Sequence, residues 1–102
     1  MLKVTVLYGH PTSPDDFEKY YEEKHAPIAS KMMNGVLRFE LTRFSAGPDG
    51  SRPAFYRMAE LYFTGQDQMQ AAMASPEGQA TVSDIANFAT GGATLLVGIV
   101  EE

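Results

Sequence analysis

His25 is the side chain whose type and surroundings point most clearly to chemistry. An imidazole gains and loses a proton near neutral pH, so it can serve as a general acid or base. Tyr21 and Phe17 precede it by four and eight residues, a spacing that places all three side chains on one face of a helix. We therefore expect the imidazole beside aromatic groups at the mouth of a cleft between helix and sheet. A plainer explanation stays open, in which His25 only hydrogen-bonds a helix-end carbonyl or a loop.

The other titratable groups have weaker claims to a functional role. His10 lies in a Gly-His-Pro turn, where a solvated side chain is expected, and the two histidines lack the spacing of a recognised metal site. Arg38 or Arg43 would suit a substrate carboxylate or an oxyanion, and Glu40 or Glu60 would suit proton transfer if buried. For residues on predicted strands, a cross-strand ion pair is the more ordinary role.

Tyrosine side chains could stack on a flat aromatic substrate and present hydroxyl groups to it. Aromatic residues at helical or strand spacing more often belong to the core, so core packing is the expectation for most of them. The tyrosines concerned are Tyr8, Tyr20, Tyr21, Tyr56 and Tyr62.

Composition excludes several classes of protein. A chain of 102 residues with 44% apolar and 21% charged residues is expected to form one globular domain, residues 1–102. A net charge of -5 and scattered basic residues disfavour nucleic acid as a partner. The longest apolar run, near residues 93–100, is too short to span a bilayer, and no leader is recognisable, so a cytoplasmic protein is expected.

Sequence motifs of the common enzyme classes are absent. The chain has no cysteine, and it contains no glycine-rich phosphate loop, nucleophile elbow or histidine-carboxylate metal helix. Hydrolase, kinase and dinucleotide-binding functions therefore have no support, and neither a metal nor a cofactor is predicted.

Capping residues predict where the helices begin and break. Ser13 is a suitable N-cap, with Pro14 at the first helical position. Pro27 predicts an end or a kink near His25, which would place His25 at a helix C-terminal edge, and a further helical turn to Met33 stays open. Residues 75–77, Ser-Pro-Glu, predict a break and a new N-cap, so the second helix should come in two pieces.

Four segments have strand character. Residues 2–8 and 36–44 are rich in β-branched or alternating apolar residues, and residues 55–63 follow a turn-rich segment that predicts a hairpin. Residues 93–100 are almost continuously apolar, as expected for a strand buried on both faces.

The predicted order of elements is βαββαβ. This order is the split βαβ unit of α+β, ferredoxin-like folds, in which two helices cover one face of a four-stranded antiparallel sheet. Phe39 and Leu41 on one face, and Met58 and Tyr62 on the other, indicate that both faces carry apolar groups. Since the two helices can cover only one face, a second copy of the chain is expected to cover the other, forming a homodimer.

Four short motifs, in this order and spacing, resemble the EthD-domain family from nearly end to end of the chain. They are F-x-x-Y-Y-x-x-x-H-A-P at residues 17–27, A-E-L-Y-F at 59–63, A-S-P-E-G-Q-A at 74–80 and N-F-A-T-G-G at 87–92. The resemblance implies a dimeric α+β barrel made of two ferredoxin-like units, related to cofactor-free monooxygenases and muconolactone isomerases. It also implies that the histidine of H-A-P, here His25, is the polar residue most often suggested for function. The longer heme-binding relatives use a histidine elsewhere, for which this chain shows no counterpart.

Two functional hypotheses follow. The first is a cofactor-free enzyme of the oxygenase, isomerase or cyclase type, acting in secondary or catabolic metabolism on a small apolar cyclic or aromatic molecule. His25 would be its general acid or base, with substrate contacts from Tyr21, Phe17, Tyr8, Phe39 and Arg43. The second is a non-catalytic dimeric module that binds a small apolar molecule or serves as accessory to an oxygenase partner. A cavity of about 300 Å³ or more around His25 would favour the enzyme, and a closed, packed cleft the module.

Overall fold

A four-stranded antiparallel sheet forms one layer of the protein. The structure is a computed structural model that describes residues 1–101. The sheet has the order β2-β3-β1-β4, and Val4 of β1 lies opposite Leu61 of β3 and Val97 of β4. Together with the helices this is the predicted βαββαβ order. The strands are β1 Leu2–Tyr8, β2 Arg38–Arg43, β3 Arg57–Phe63 and β4 Ala93–Ile99.

The first helical segment runs without interruption past His25. Helix α1, Pro14–Tyr20, begins where the Ser13 hydroxyl accepts a hydrogen bond from the amide of Asp16. A π-helical turn, Tyr21–His25, follows, and α2, Ala26–Ser30, continues the segment with Pro27 in its first turn. Proline has no amide to donate, and the π turn directly before α2 is where the regular hydrogen-bond pattern of the segment changes. The further helical turn that the sequence left open is therefore present, so His25 lies within the helical segment and not at its C-terminal edge.

The second helical segment is divided as predicted. Helix α3, Gln66–Ala74, ends at Ser75, and α4, Pro76–Asp84, begins with the Ser75 hydroxyl accepting from the amide of Gly78 at 3.0 Å. A Cβ on Gly78 would lie 2.1 Å from the carbonyl oxygen of Ala72, so glycine is required where the two helices meet. A short 3₁₀ turn, Ile85–Asn87, leads to β4.

The helices pack on one face of the sheet, so the molecule has two layers. Its extents are 38 × 33 × 17 Å. Tyr8, Phe17 and Phe63 are the largest fully buried side chains. Tyr8 packs with Tyr21 and Phe88 in the main core cluster between β1 and the helices. Among residues 1–101, no helix is both long and apolar enough to cross a membrane.

The edge strands leave apolar side chains uncovered. The prediction that β4 is buried on both faces is wrong for the single chain, where Val97 is 61% and Ile99 is 77% exposed. At the opposite edge, Phe39 and Leu41 of β2 are 55% and 47% exposed. The reason is topological, since the apolar run of β4 lies at the rim of the sheet while the helices cover the central strands.

The sheet face opposite the helices carries both charged and apolar groups. Lys3 donates to Glu60 at 2.6 Å, and the guanidinium of Arg38 lies 4.2 Å from the centre of the Tyr62 ring. Glu60 is thus part of an ion pair across the strands. Leu96 of β4 is 51% exposed and lies on this same face, opposite Thr5.

Candidate functional site

His25 is buried and bonded to a carboxylate. Its side chain is 6% exposed, and Nδ1 lies 2.9 Å from Oδ2 of Asp84, which is 59 residues away at the end of α4. The π turn carries His25 on the inner side of its helical segment, and α4 supplies Asp84 from the neighbouring segment. The contact is therefore a product of how the two segments pack.

Asp84 is the centre of a hydrogen-bond network. Its Oδ1 accepts from the hydroxyl of Tyr20 at 2.6 Å and from the side-chain amide of Asn87 at 3.0 Å. Burial raises the pKa of Asp84, but the hydrogen bonds from Tyr20, Asn87 and His25 outweigh burial, so the pKa lies below its ordinary value. Asp84 is consequently an ionised acceptor at neutral pH.

The ionised carboxylate determines the protonation of the imidazole. A carboxylate only accepts hydrogen bonds, so Nδ1 of His25 carries the proton that is donated to Asp84. In the neutral ring, Nε2 is then the basic nitrogen. No hydrogen bond from Nε2 is present among residues 1–101. His25 is thus held in the tautomer that a general base requires.

Aromatic rings surround the imidazole. The centre of the His25 ring lies 4.7 Å from that of Phe88 and 5.3 Å from that of Tyr21. Tyr21 in turn lies edge-on to Tyr8 at 6.0 Å. Burial raises the pKa of the Tyr8 and Tyr21 phenols, so both remain protonated donors at neutral pH.

A cavity between the sheet and the helices reaches His25. Its volume is about 70 Å³, and its lining is mostly apolar, with Phe39, Leu41 and Leu95 among the sheet residues. Polar residues in the lining are His25, Tyr8, Tyr21, Glu60 and Thr81. A space of this size holds a few water molecules and is smaller than a typical ligand pocket.

The structure brings some of the candidate residues together and separates others. Tyr21, Tyr8 and Phe39 line the same cavity as His25. Phe17 lies in the core, stacked on Tyr21 at 5.7 Å, and does not line the cavity. Arg43 is largely exposed at the sheet edge, with Nη1 3.5 Å from Glu18.

The two remaining candidates of the sequence lie elsewhere. Nε2 of His10 is 2.7 Å from the carbonyl oxygen of Pro53, in the loops beyond β1 and before β3. In the part of the chain that the structure describes, no group of three or more His, Asp or Glu side chains is arranged to hold a metal ion. His10 and His25 are therefore not two ligands of one such cluster.

Sequence reasoning missed Asp84 and Arg57. Asp84 is a charged residue on the inner face of α4, three residues after the buried Thr81, and this position on an otherwise apolar face was the available signal. Arg57 is at the start of β3, where its Nη1 donates to Glu18 at 2.9 Å and its guanidinium lies 4.2 Å from the centre of the Tyr21 ring. The sequence does not indicate that an arginine on a strand is buried, since most arginine side chains are exposed.

The lowered pKa of Asp84 makes stability depend on pH. The unfolded chain binds a proton at the ordinary aspartate pKa and the folded chain only at a lower pH, so Asp84 stabilises the fold fully above about pH 4. This contribution is lost as the pH falls through the lowered pKa. We expect the free energy of unfolding, measured by urea titration from pH 7 to pH 2.5, to fall less steeply in Asp84→Asn than in the wild type. Parallel curves would contradict the assigned role of Asp84.

Comparison with known proteins connects this geometry to a family. The model of the EthD domain matches residues 9–92. The chain belongs to the EthD family. An EthD-family protein from Bacillus halodurans, solved as a crystal structure, is 33% identical with a TM-score of 0.90, over 99% of each chain. An uncharacterised 11.0 kDa protein from the thcB-thcC intergenic region of Rhodococcus erythropolis is 40% identical over 94% of this chain and 91% of its own.

More distant structures share the fold of this EthD-family chain. SnoaB, a cofactor-independent oxygenase from Streptomyces nogalater, is 17% identical with a TM-score of 0.66, over 99% of this chain and 92% of its own. A dimeric protein of ferredoxin-like fold from Bacteroides fragilis is 12% identical with a TM-score of 0.66, over 95% of this chain and 93% of its own. At these identities the likeness extends to the fold alone.

Proposed function

We propose that this EthD-family protein is a cofactor-free enzyme that transfers a proton to or from a small apolar cyclic or aromatic molecule. His25 is the general acid or base. The observation that carries the proposal is the 2.9 Å contact between His25 Nδ1 and Asp84 in the wall of an apolar cavity. A histidine in a mostly apolar wall, oriented by a buried carboxylate, is an arrangement that general-base catalysis uses.

The proposed step is removal of a proton from a carbon or hydroxyl group of the substrate. Nε2 accepts the proton, the electron pair left on the substrate delocalises onto its carbonyl or phenol oxygen, and Asp84 stabilises the imidazolium. The hydroxyls of Tyr8 and Tyr21, protonated at neutral pH, can donate to that oxygen. Oxygenase, isomerase and cyclase reactions on such compounds share this first step, and SnoaB, which has the same fold, is described as a cofactor-independent oxygenase.

A second candidate function is non-catalytic binding of a small apolar molecule, for delivery to an oxygenase partner. The size of the cavity favours this candidate, because about 70 Å³ is below the 300 Å³ expected of an enzyme pocket. Against it stands the cost of burying a carboxylate and an imidazole, which packing alone does not require.

Solvent deuterium exchange measures the proposed proton transfer by itself, whichever reaction follows it. The protein is incubated in D₂O with a panel of cyclic ketones and phenols, and incorporation of deuterium at carbon is followed by NMR. We expect exchange above the buffer rate for at least one apolar cyclic compound. Binding of panel members without any exchange would favour the second candidate.

We further propose that the chain is a homodimer in which the sheet face opposite the helices is covered by a second copy. The two-layer shape supports this assembly, and so do the exposed Leu96 and the partly exposed Leu7, two apolar residues that lie on this face. The Bacteroides fragilis protein of the same fold is described as dimeric. An isologous contact between two sheet faces would remove these side chains from water.

Replacement of Leu96 by Asp should separate the two copies. A buried, unpaired carboxylate at the interface costs several kcal/mol. Light scattering is therefore expected to give twice the 11.2 kDa chain mass for the wild type and the chain mass for Leu96→Asp. Ala80→Asp adds the same charge on an exposed position of α4 and should remain dimeric. A monomeric wild type at micromolar concentration would refute the assembly.

A further inference from the structure

Arg57 has hydrogen-bond donors that the protein itself does not use. Its side chain is 12% exposed, and Nη1 donates to Oε1 of Glu18 at 2.9 Å. Nε is enclosed and has no hydrogen-bond partner, and no hydrogen bond from Nη2 is present among residues 1–101. Nε and Nη2 form one edge of the guanidinium, and such an edge binds a carboxylate through two parallel hydrogen bonds.

We propose that this edge of Arg57 is an anion subsite, and that the ligand of the cavity is an apolar ring compound carrying a carboxylate. The proposal rests on the proposed function and narrows its substrate class. A buried cationic donor without a partner costs free energy, so an anion that pairs with it recovers that cost on binding. Nε is enclosed, so contact with it needs a local side-chain shift.

The position of Arg57 joins this subsite to the cavity of His25. An open groove on the surface is lined by Arg57, Arg43 and Glu18 together with Tyr21 and Leu41. Tyr21 and Leu41 also line the cavity, so the groove and the cavity are neighbours. The guanidinium of Arg57 stacks on the Tyr21 ring at 4.2 Å. A ring seated where the groove meets the cavity, at Tyr21 and Leu41, can therefore direct a substituent to the guanidinium.

The charges around the subsite predict how it responds to substitution. Glu18 and Glu22 face the groove from the first helical segment, and Arg43 and Arg57 face it from the sheet. Oε2 of Glu18 accepts from the hydroxyl of Tyr56 at 2.9 Å, so Glu18 is held in place beside Arg57. Glu18 competes with an incoming carboxylate for the guanidinium. The net charge of -5 opposes anion binding in general, so a preference for anions has to come from local donors.

The test compares benzoate with benzamide, which has the same shape and no charge. Affinities are measured at pH 8 by NMR titration of ¹⁵N-labelled protein, including the Nε resonance of Arg57. We expect benzoate to bind about tenfold more tightly than benzamide in the wild type, as for a charge-assisted bidentate contact. Arg57→Gln should abolish this preference, and Glu18→Gln should increase it several-fold.

Arg38→Gln is the matched control, because Arg38 also stacks on a tyrosine ring at 4.2 Å but on the opposite face of the sheet. It should leave the preference unchanged. Arg57→Lys keeps the positive charge but lacks the planar guanidinium, so it should lose most of the preference for benzoate over benzamide. This variant tests the anion subsite if Arg57→Gln does not fold. Equal affinities for benzoate and benzamide in the wild type, or an unchanged preference in Arg57→Lys, would overturn the subsite.

The test of the anion subsite can fail or succeed independently of the test of the proposed enzymatic function. His25→Gln removes the general base but leaves the guanidinium, so it should retain the preference for benzoate. A preference for benzoate with no deuterium exchange would refute the enzymatic proposal alone. Exchange that shows no preference for compounds with a carboxylate would refute the anion subsite alone.

Discussion

Replacement of His25 by Gln should lower the rate of deuterium exchange by about a hundredfold or more, the usual contribution of a positioned general base. Glutamine is close to histidine in size and can still donate to Asp84 through its side-chain amide. The glutamine amide can thus replace the 2.9 Å hydrogen bond from His25 to Asp84. It has no basic nitrogen, so it cannot replace His25 in proton transfer. The measurement is the initial rate of exchange under saturating substrate, followed by NMR at several values of pH.

His10→Gln is the control for this experiment. It removes the other histidine of the chain, whose Nε2 contacts the carbonyl oxygen of Pro53 and which is not among the residues lining the cavity. Its exchange rate should equal that of the wild type. A His25→Gln protein that folds normally and exchanges at the wild-type rate would remove His25 from the mechanism, and the second candidate function would then be the better account.

Replacement of Asp84 by Ala should destabilise the protein by about 3 kcal/mol, which is in the range for removing one partner of a buried pair. The variant leaves Nδ1 of His25 without an acceptor in an environment that is 6% exposed. The hydroxyl of Tyr20 and the amide of Asn87 lose the same acceptor, although both are near enough to the surface to gain water. Urea unfolding at pH 7 measures the change in the free energy of unfolding.

Ser83→Ala is the matched control for this measurement. Ser83 is the exposed neighbour of Asp84 in α4, and its replacement should change the free energy of unfolding by less than about 0.5 kcal/mol. If Asp84→Ala is as stable as Ser83→Ala, the network around Asp84 contributes nothing to the fold.

Much of the fold could be predicted because its signals are local. Ser13 and Ser75 are N-caps whose hydroxyls bond an amide three residues on, and the βαββαβ order follows from the sequence of strand and helix patterns. The prediction for β4 was wrong because an apolar run can be covered within the chain or by another copy, and periodicity does not distinguish these. The strand's position at the sheet edge decides that question.

By itself, the sequence determined the elements and the candidacy of His25, because each depends on residues close together in the chain. The order of the elements and the order and spacing of four short motifs, which indicated the EthD family, are also read directly along the chain. Only the tertiary structure decided what His25 contacts. Asp84 is 59 residues from His25 and Arg57 is 39 residues from Glu18, so these pairs meet only when separate segments pack. The stretch that ends in H-A-P predicts a His25 at a helix end, beside aromatic groups at the mouth of a cleft. Packing instead encloses His25 against Phe88 and orients it by Asp84, since a π turn and Pro27 continue the helical segment past it.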